Sequence, residues 1–239
     1  GGLAFRYHIR GIGGLRLQGR YCSYQDFVDF LESQVEGRLP LRLEDACLVT
    51  ANKEGRELRC LLPLVLRRES IESLEDLQDE IDDPSSYAIV MMQAGRASLA
   101  VARGPEILCS KQIQKYMVRK SQGRSQLTYR DTKGKSRLGS RIRLRQAEQF
   151  FEEIHARLFT WSKIYDCEQL FLSCTPKLKG AWFQTAVPQP FAKQDKRWRR
   201  IPFQVHNPKQ DELLRIHRLL CRATLQTADE TEGDSKSKT

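Results

Sequence analysis

Hydrophobic residues recur at helical spacing in five segments of the chain. Ser23, with Asp26 three residues later, matches the signature of a capped helix start. The apolar residues Phe27 and Leu31 follow one helical turn apart and predict a helix to about residue 35. Further helices are predicted at 70–81, capped by Ser70 and closed by Pro84, and at 141–159, 177–186 and 209–222.

Shorter apolar runs predict strands between these helices. Two such runs flank the turn sequence QAGR within residues 86–104, which predicts a β-hairpin. Other strands are predicted within 45–51, 57–66, 168–174 and 197–205. Helices that alternate with short strands favour an α/β fold, with a layered mixed sheet and flanking helices.

A long polar segment, residues 119–140, separates the hairpin from the helix at 141–159. Its glycines at 123, 134 and 139, among Ser, Thr and Lys, predict a long loop inserted between the hairpin and that helix. Loops of this length in a compact domain are usually functional or disordered. The predicted organisation is an amino-terminal arm or edge strand at 1–19, one α/β domain at 20–225 and a disordered tail at 226–239.

Positive charge is concentrated around this loop. Residues 111–145 hold twelve lysines and arginines and a single acid, Asp131, whereas the whole 239-residue chain has a net charge of +10. A local surface whose charges are all positive favours the interpretation that it binds a polyanion, rather than that it is a charged loop exposed only to solvent. Tyr116 and Tyr129 would offer rings for unpaired bases. The predicted RNA-binding residues are Lys115, Arg119, Lys120, Arg124, Tyr129, Arg130, Lys133, Lys135, Arg137, Arg141 and Arg143.

The remaining composition narrows the class of protein. No run of 18 apolar residues occurs and the first residues lack an apolar signal core, so neither a membrane span nor a secretion signal is expected. Seven cysteines are scattered without a CxxC pair, which favours reduced thiols in a cytoplasmic compartment. No metal-ligand spacing is present, and neither a metal nor another cofactor is expected. The glycines of GIGG at 11–14 are a weak nucleotide motif.

The tetrapeptide GRSQ, residues 123–126, lies in the middle of the basic segment. Glutamine does not titrate, so Gln126 cannot serve as a strong general base. Its amide can orient a water or a hydroxyl, provided that a partner supplies the rest of the site. No GxSxG, HExxH or P-loop motif offers a competing catalytic centre.

The segment KYMVRKSQGRSQLTYRDTKGKSRLGSRIR resembles the catalytic loop of the Vms-like release factors, relatives of the middle domain of the eukaryotic class-I release factor. Gly123, Ser125 and Gln126 match the family's G-x-S-Q turn, and residues 133–143 match its charged run into a long helix. The resemblance covers about 20–222. Arg124 stands where many relatives have a second glycine, and the zinc finger and ankyrin repeats of larger eukaryotic members are absent. The chain is similar to a compact, bacterial version.

This resemblance implies a release-factor-like fold and release of nascent chains from peptidyl-tRNA on stalled large ribosomal subunits. Gln126 would be the catalytic glutamine, with Ser125 and Gly123 in the same turn. The bond cut would be the peptidyl-tRNA ester, with Gln126 placing a water, or a phosphodiester near the tRNA 3′ end. In the second case Arg124, Lys120 or Arg130 would stabilise the charge. The implied partners are the large subunit, peptidyl-tRNA and rRNA, with a monomeric protein off the ribosome.

Two other classes of function fit the same sequence. A non-catalytic ribosome- or RNA-binding module would need the lysines and arginines but not Gln126. A standalone RNase would cleave free tRNA and needs a titratable pair, for which His155 is the nearest candidate, although its helical spacing indicates packing. RWRR at 197–200 is a second basic patch, with Trp198 as a stacking platform or as part of an edge strand.

Overall fold

The computed structural model describes residues 7–10, 16–37, 40–51, 56–67, 69–115, 136–185 and 187–228. For 7–10, 16–19, 136–144 and 227–228 it describes the backbone alone. The strands are β1 (Tyr7–Arg10), β2 (Arg16–Cys22), β3 (Arg42–Glu44), β4 (Cys47–Ala51), β5 (Glu57–Leu61), β6 (Ser86–Gln93), β7 (Arg96–Arg103), β8 (Glu106–Gln114), β9 (Cys167–Ser173), β10 (Trp198–Arg200) and β11 (Ala223–Ala228). The helices are α1 (Tyr24–Glu36), α2 (Leu74–Asp82), α3 (Ser136–Ser162), α4 (Pro176–Phe183) and α5 (Gln210–Leu220), with a 3-10 turn at Leu64–Leu66.

The chain divides into two compact units, one formed by residues 1–84 and 218–239 and the other by residues 85–217. Each unit contains one sheet with flanking helices. The predicted α/β class is therefore confirmed, with two sheets in place of the single mixed sheet that the sequence led us to expect. The range 20–225, expected to be one domain, is shared between both units.

The sheet of the first unit has six strands in the order β1-β2-β11-β5-β4-β3, and every pair is antiparallel. Its edge strand β1 and the first four residues of its neighbour β2 lie in the segment 1–19, which was predicted as an arm or edge strand. Strand β11 was not predicted, and it extends three residues into the segment predicted to be a disordered tail. Its backbone pairs with β2 on one side and β5 on the other.

Both helices of the first unit begin with the same side-chain cap. At α1 the Ser23 hydroxyl accepts from the Asp26 N–H at 3.1 Å, as predicted. The predicted cap of α2, Ser70, is wrong, because Ser73 caps this helix and its Oγ accepts from the Asp76 N–H at 3.1 Å. The Asp76 carboxylate in turn accepts from the Ser73 N–H, which completes the reciprocal pair.

The sheet of the second unit has five strands in the order β10-β9-β6-β7-β8. The predicted hairpin is confirmed as β6 and β7, which pair in register from Ser86–Arg103 to Gln93–Arg96. Strand β8 continues it antiparallel to β7, and β9 and β10 are added parallel to β6 on the other side. Only residues 198–200 of the predicted strand 197–205 are extended in the sheet.

Alternate residues of this sheet face opposite layers. Val90 and Leu99 pack with Phe150, Ile154 and other apolar residues of α3 and α4 in one core. On the other face the ring of Tyr87 stacks on His217 of α5 at 6.2 Å between centroids. The sheet is therefore covered on both faces, which gives its central strands β6 and β7 nearly continuous burial.

Candidate nucleic-acid interface

The segment predicted to carry the chemistry is only partly described. Residues 116–135 lie outside the described ranges, and they include the predicted catalytic residues Gly123, Ser125 and Gln126 together with Arg119, Lys120, Arg124, Tyr129, Arg130, Lys133 and Lys135. Arg137, Arg141 and Arg143 are described only as backbone positions of α3. The structure thus defines the two elements between which the segment is inserted, β8 and α3, and the side chain of Lys115.

Lys115 directly follows β8 and is held in place by two contacts. Its N–H donates to the carbonyl of Gly95, in the turn between β6 and β7, at 2.9 Å. Its Nζ lies 3.0 Å from Oε2 of Glu153 on α3, and both side chains are about one third exposed. Lys115, the last described residue before the segment, is therefore held to the sheet by its backbone and to the helix by its side chain.

Helix α3 starts at Ser136, so the predicted loop end at residue 140 and helix start at 141 are wrong by five residues. The helix is basic at residues 137, 141, 143 and 145, and a run of 27 residues is about 40 Å long. Arg and Lys are good helix formers, so the charge does not prevent helix formation once the next turns are anchored in the core.

The direction of α3 follows from its contacts with β8. Glu153 pairs with Lys115 at the end of β8, and Arg157, one turn later, lies near Cys109 in the middle of that strand. The helix therefore runs antiparallel to β8. The 17 residues before Glu153 span roughly 25 Å and extend past the end of β8. Arg145, in this extension, is exposed.

Four strands of the second sheet end at the same edge. Strands β6, β9 and β10 are mutually parallel, and β8 shares their direction because it is two antiparallel steps from β6. We call this edge, which also holds the β6–β7 turn, the carboxyl edge. The basic segment leaves the sheet here, and ligands of sheets with parallel strands commonly bind at this edge.

His155 does not fit the role of a surface acid or base. It is 1% exposed, its ring stacks on Trp182 at 5.1 Å, and its Nε2 lies 3.2 Å from the Trp182 carbonyl. Burial lowers the pKa of His155, which keeps the ring neutral near pH 7. The packing interpretation of this residue is confirmed.

The predicted patch RWRR contributes the edge strand β10, and the side chains of Arg197 and Trp198 have partners within the fold. Trp198 makes edge contacts with the rings of Trp182, Phe183 and Phe191, and its Nε1–H donates to the Ala192 carbonyl at 2.9 Å. Arg197 forms a bidentate pair with Asp195, at 3.1 and 2.9 Å, and this pair lowers the pKa of the Asp195 carboxyl.

None of the seven cysteines forms a disulfide. Burial raises the pKa of Cys167 to about 12, whereas a hydrogen bond with Cys60 lowers the pKa of Cys22. Among the described residues, no group of three His, Cys, Asp or Glu side chains could hold a metal ion. Within the same ranges, no helix combines the length and hydrophobicity that a bilayer crossing requires.

The chain matches one family model and is similar to a solved structure. The family model described as "Bacteroidetes VLRF1 release factor" matches residues 87–228, more than half of the chain. A solved structure titled "Vms1 mitochondrial localization core" aligns with a TM-score of 0.47 at 13% sequence identity and covers 83% of this chain and 81% of that chain. No curated protein matches the sequence.

Proposed function

Because the chain belongs to the Bacteroidetes VLRF1 release factor family, we propose that it frees nascent chains from peptidyl-tRNA on stalled large ribosomal subunits. Family membership confirms the resemblance to Vms-like release factors and gives the chain a release-factor role that implies association with the ribosome. The observation that carries the finer proposal is the basic segment with GRSQ, inserted between β8 and α3 within the matched region.

In this proposal the basic residues bind RNA and Gln126 positions the reacting group. The lysines and arginines of 115–145 neutralise phosphates of tRNA and rRNA, which gives affinity without sequence readout. Helical spacing puts positions 137, 141 and 145 on one face of α3, in the part that extends past the carboxyl edge. A helix with its second half packed in the core is a rigid support for such contacts.

Gln126 then positions the attacking group at the peptidyl-tRNA bond. The oxygen of its amide can accept a hydrogen bond from a water, and the NH₂ group can donate one to an oxygen. The amide can therefore hold a water against the ester carbonyl. Water adds to this carbon and loses a proton, the bond to the ribose oxygen breaks, and that oxygen takes up a proton to become a hydroxyl. Since Gln126 does not titrate, the ribosome and the tRNA supply the proton transfers.

A second chemistry uses the same turn on a different bond. A ribose 2′-OH near the tRNA 3′ end would lose its proton and attack the adjacent phosphorus, and the 5′ oxygen of the next nucleotide would leave and take up a proton. The product is a 2′,3′-cyclic phosphate. Arg124, Lys120 or Arg130 would stabilise the charge on the phosphorus oxygens. The two chemistries leave different tRNA ends, so one product analysis separates them.

The decisive experiment incubates the protein with stalled ribosome–peptidyl-tRNA complexes and follows the peptidyl-tRNA on a gel. We expect loss of the peptidyl-tRNA band, and sequencing of the tRNA 3′ end identifies the bond. An intact CCA end means ester hydrolysis, and a shortened end means phosphodiester cleavage. Free deacylated tRNA is the control, and its cleavage at the same rate would show a standalone RNase. Peptidyl-tRNA that stays intact would indicate that the chain is a non-catalytic binding module.

A further inference from the structure

A groove lies at the carboxyl edge of the second sheet. None of its lining residues belongs to the basic segment 111–145. It has a volume of about 600 Å³, a usual size for a small-molecule site. It lies where β9 and β10 end and α4 begins. Its lining consists of Leu172, Ser173, Cys174, Pro176, Lys179, Trp198, Arg199, Arg200, Ile201, Phe203, Gln204 and Val205.

The charge of this groove has one sign. Lys179, Arg199 and Arg200 line it, and none of its lining residues is an acid. Lys179 and Arg199 are half-buried and Arg200 is exposed. The amino end of α4, where the Thr175 hydroxyl accepts from the Leu178 N–H, adds the positive end of a helix dipole. Three cations beside a helix start favour an anionic ligand.

The rest of the lining is apolar and aromatic. Trp198 is half-buried, and its ring is kept in place by Trp182 and Phe191 and by the hydrogen bond to Ala192. Phe203, also half-buried, lines the same groove, which continues along residues 200–204 into a second open depression. Flat rings beside cations suit a ligand that combines phosphate with a planar base.

The segment that forms one wall is anchored to the centre of the sheet. The Gln93 amide, at the end of β6, donates to the carbonyls of Val205 at 3.1 Å and His206 at 2.9 Å. Arg96 donates to the side chain of Asn207 at 3.1 Å. The groove wall is therefore preorganised by the same β6–β7 turn that receives the N–H of Lys115.

The groove lies on the same edge as the end of β8, after which the basic segment follows in the chain. Strand β8 is three steps from β9 and four from β10, so the end of β8 is about 14–19 Å from the groove at 4.7–4.9 Å for each step. A single RNA strand can run along this edge and meet both. An acidic peptide would also meet the cations, but its carboxylates would make no use of the aromatic surfaces, on which a base can stack.

We propose that this groove is a second RNA-binding site, which holds one unpaired nucleotide of the strand bound by the basic segment. Lys179 and Arg200 contact its phosphates, and Phe203 with the exposed part of Trp198 contacts its base. The proposal rests on the proposed function only in taking RNA as the partner. It does not depend on Gln126 or on any release chemistry.

The test measures binding of a fluorescein-labelled single-stranded RNA dodecamer by anisotropy over a range of salt concentrations. We expect Lys179→Ala and Arg200→Ala each to reduce the slope of log affinity against log salt by about 0.7 and to weaken binding about fivefold at 0.1 M salt. Phe203→Ala should weaken binding about fivefold or more without changing the slope, because stacking releases no counterions. The matched control is Lys163→Ala, an exposed lysine beyond the end of α3, at the opposite edge.

Slopes and affinities of the groove variants equal to those of Lys163→Ala would overturn the proposal. A decaglutamate peptide that binds through Lys179 and Arg200, with RNA binding unaffected, would assign the groove to an acidic protein instead. A wild-type measurement avoids any folding defect of the variants: a 4-thiouridine RNA should crosslink within residues 198–205, and crosslinks confined to 111–145 would contradict the site. Gln126→Ala must keep all of these binding properties, so failure of the groove and failure of the release proposal are separate results.

Discussion

The ammonium of Lys115 and the carboxylate of Glu153 lie 3.0 Å apart and join the end of β8 to the middle of α3. This ion pair connects the two elements that flank the basic segment. It also neutralises one of the cations predicted to bind RNA. Lys115 therefore contributes less to RNA binding than its charge suggests.

Replacing Glu153 by Gln should free this charge. We expect stronger RNA binding and a slope of log affinity against log salt that is steeper by up to about 0.7, since one more cation can meet a phosphate. The free energy of unfolding should change by less than about 1 kcal/mol, because the pair is partly exposed to solvent. Glu152→Gln, an exposed neighbour with the same change in net charge, is the control in anisotropy and urea unfolding. Equal effects of both variants would mean that net charge alone matters.

The basic segment should dominate binding to the ribosome. Replacing Lys133, Lys135, Arg137 and Arg141 together by Ala should weaken co-sedimentation with large subunits and flatten its salt dependence, because four phosphate contacts are lost. The control removes four exposed lysines elsewhere, at 163, 193, 196 and 209. If the first variant co-sediments like wild type at every salt concentration, the segment is not at the interface.

Gln126 should matter for rate and not for folding. Loss of one preorganised hydrogen-bonding group typically lowers a rate by about 10²–10³, whereas a substitution in a polar surface loop changes stability by roughly ±0.5 kcal/mol. Gln126→Ala should therefore bind stalled complexes and fail to release peptide. Gln122→Ala, outside the G-x-S-Q turn, should be milder. Wild-type release by Gln126→Ala would disprove the catalytic role of this turn.

Protonation of His155 should destabilise the second unit. Its pKa is lowered by burial, so the unfolded chain binds a proton at a higher pH than the folded one. The contribution of His155 to stability is complete above about pH 6.5, its pKa in the unfolded chain, and is lost as the pH falls through its pKa in the folded protein. Urea unfolding at pH 7.5 and 5.5 should show a smaller loss for His155→Gln than for wild type. An equal loss would place the pH sensitivity in other groups.

Gly180, within α4, should tolerate a methyl group. A Cβ built there meets no atom within 4 Å, so Gly180→Ala should stabilise the protein by roughly 0.5–1 kcal/mol through lower entropy of the unfolded chain. Gly104→Ala is the opposing control, because its φ of 51° disfavours a side chain and the variant should lose stability. Urea unfolding measures both, and a less stable Gly180→Ala would mean that α4 is strained.

Local signals in the sequence were sufficient for the hairpin, for the Ser23 cap and for the core half of α3. The α2 cap was missed although its signature was present: Ser73 has the acidic residue Asp76 three positions on, whereas Ser70 has Ser73. The first turns of α3 were missed because Gly139 and clustered cations resemble a loop, whereas the helix begins at Ser136 and its later turns are anchored in the core by Phe150 and Ile154.

The other features that the sequence did not predict depend on contacts between residues far apart in the chain. Strand β11 has a short, half-polar sequence, and its partners β2 and β5 lie more than 150 residues away, so no neighbouring pattern could reveal it. RWRR was recognised as a basic patch, but the groove that it forms with Lys179 was missed for the same reason. Lys179 is about 20 residues from Arg199 and Arg200, and only the parallel pairing of β10 with β9 brings them together. The GRSQ turn was recognised by its resemblance to a family, and the roles of its residues remain predictions.

The central position of β11 has a consequence for the order of folding during synthesis. All strands of the second sheet lie within residues 86–200, so that sheet can form while the last part of the chain is still being translated. The first sheet cannot, because β2 and β5 each have an unpaired edge until residues 223–228 have emerged. Open strand edges pair readily with other chains. The amino-terminal unit is therefore made first and completed last, and it is exposed to mispairing throughout the interval.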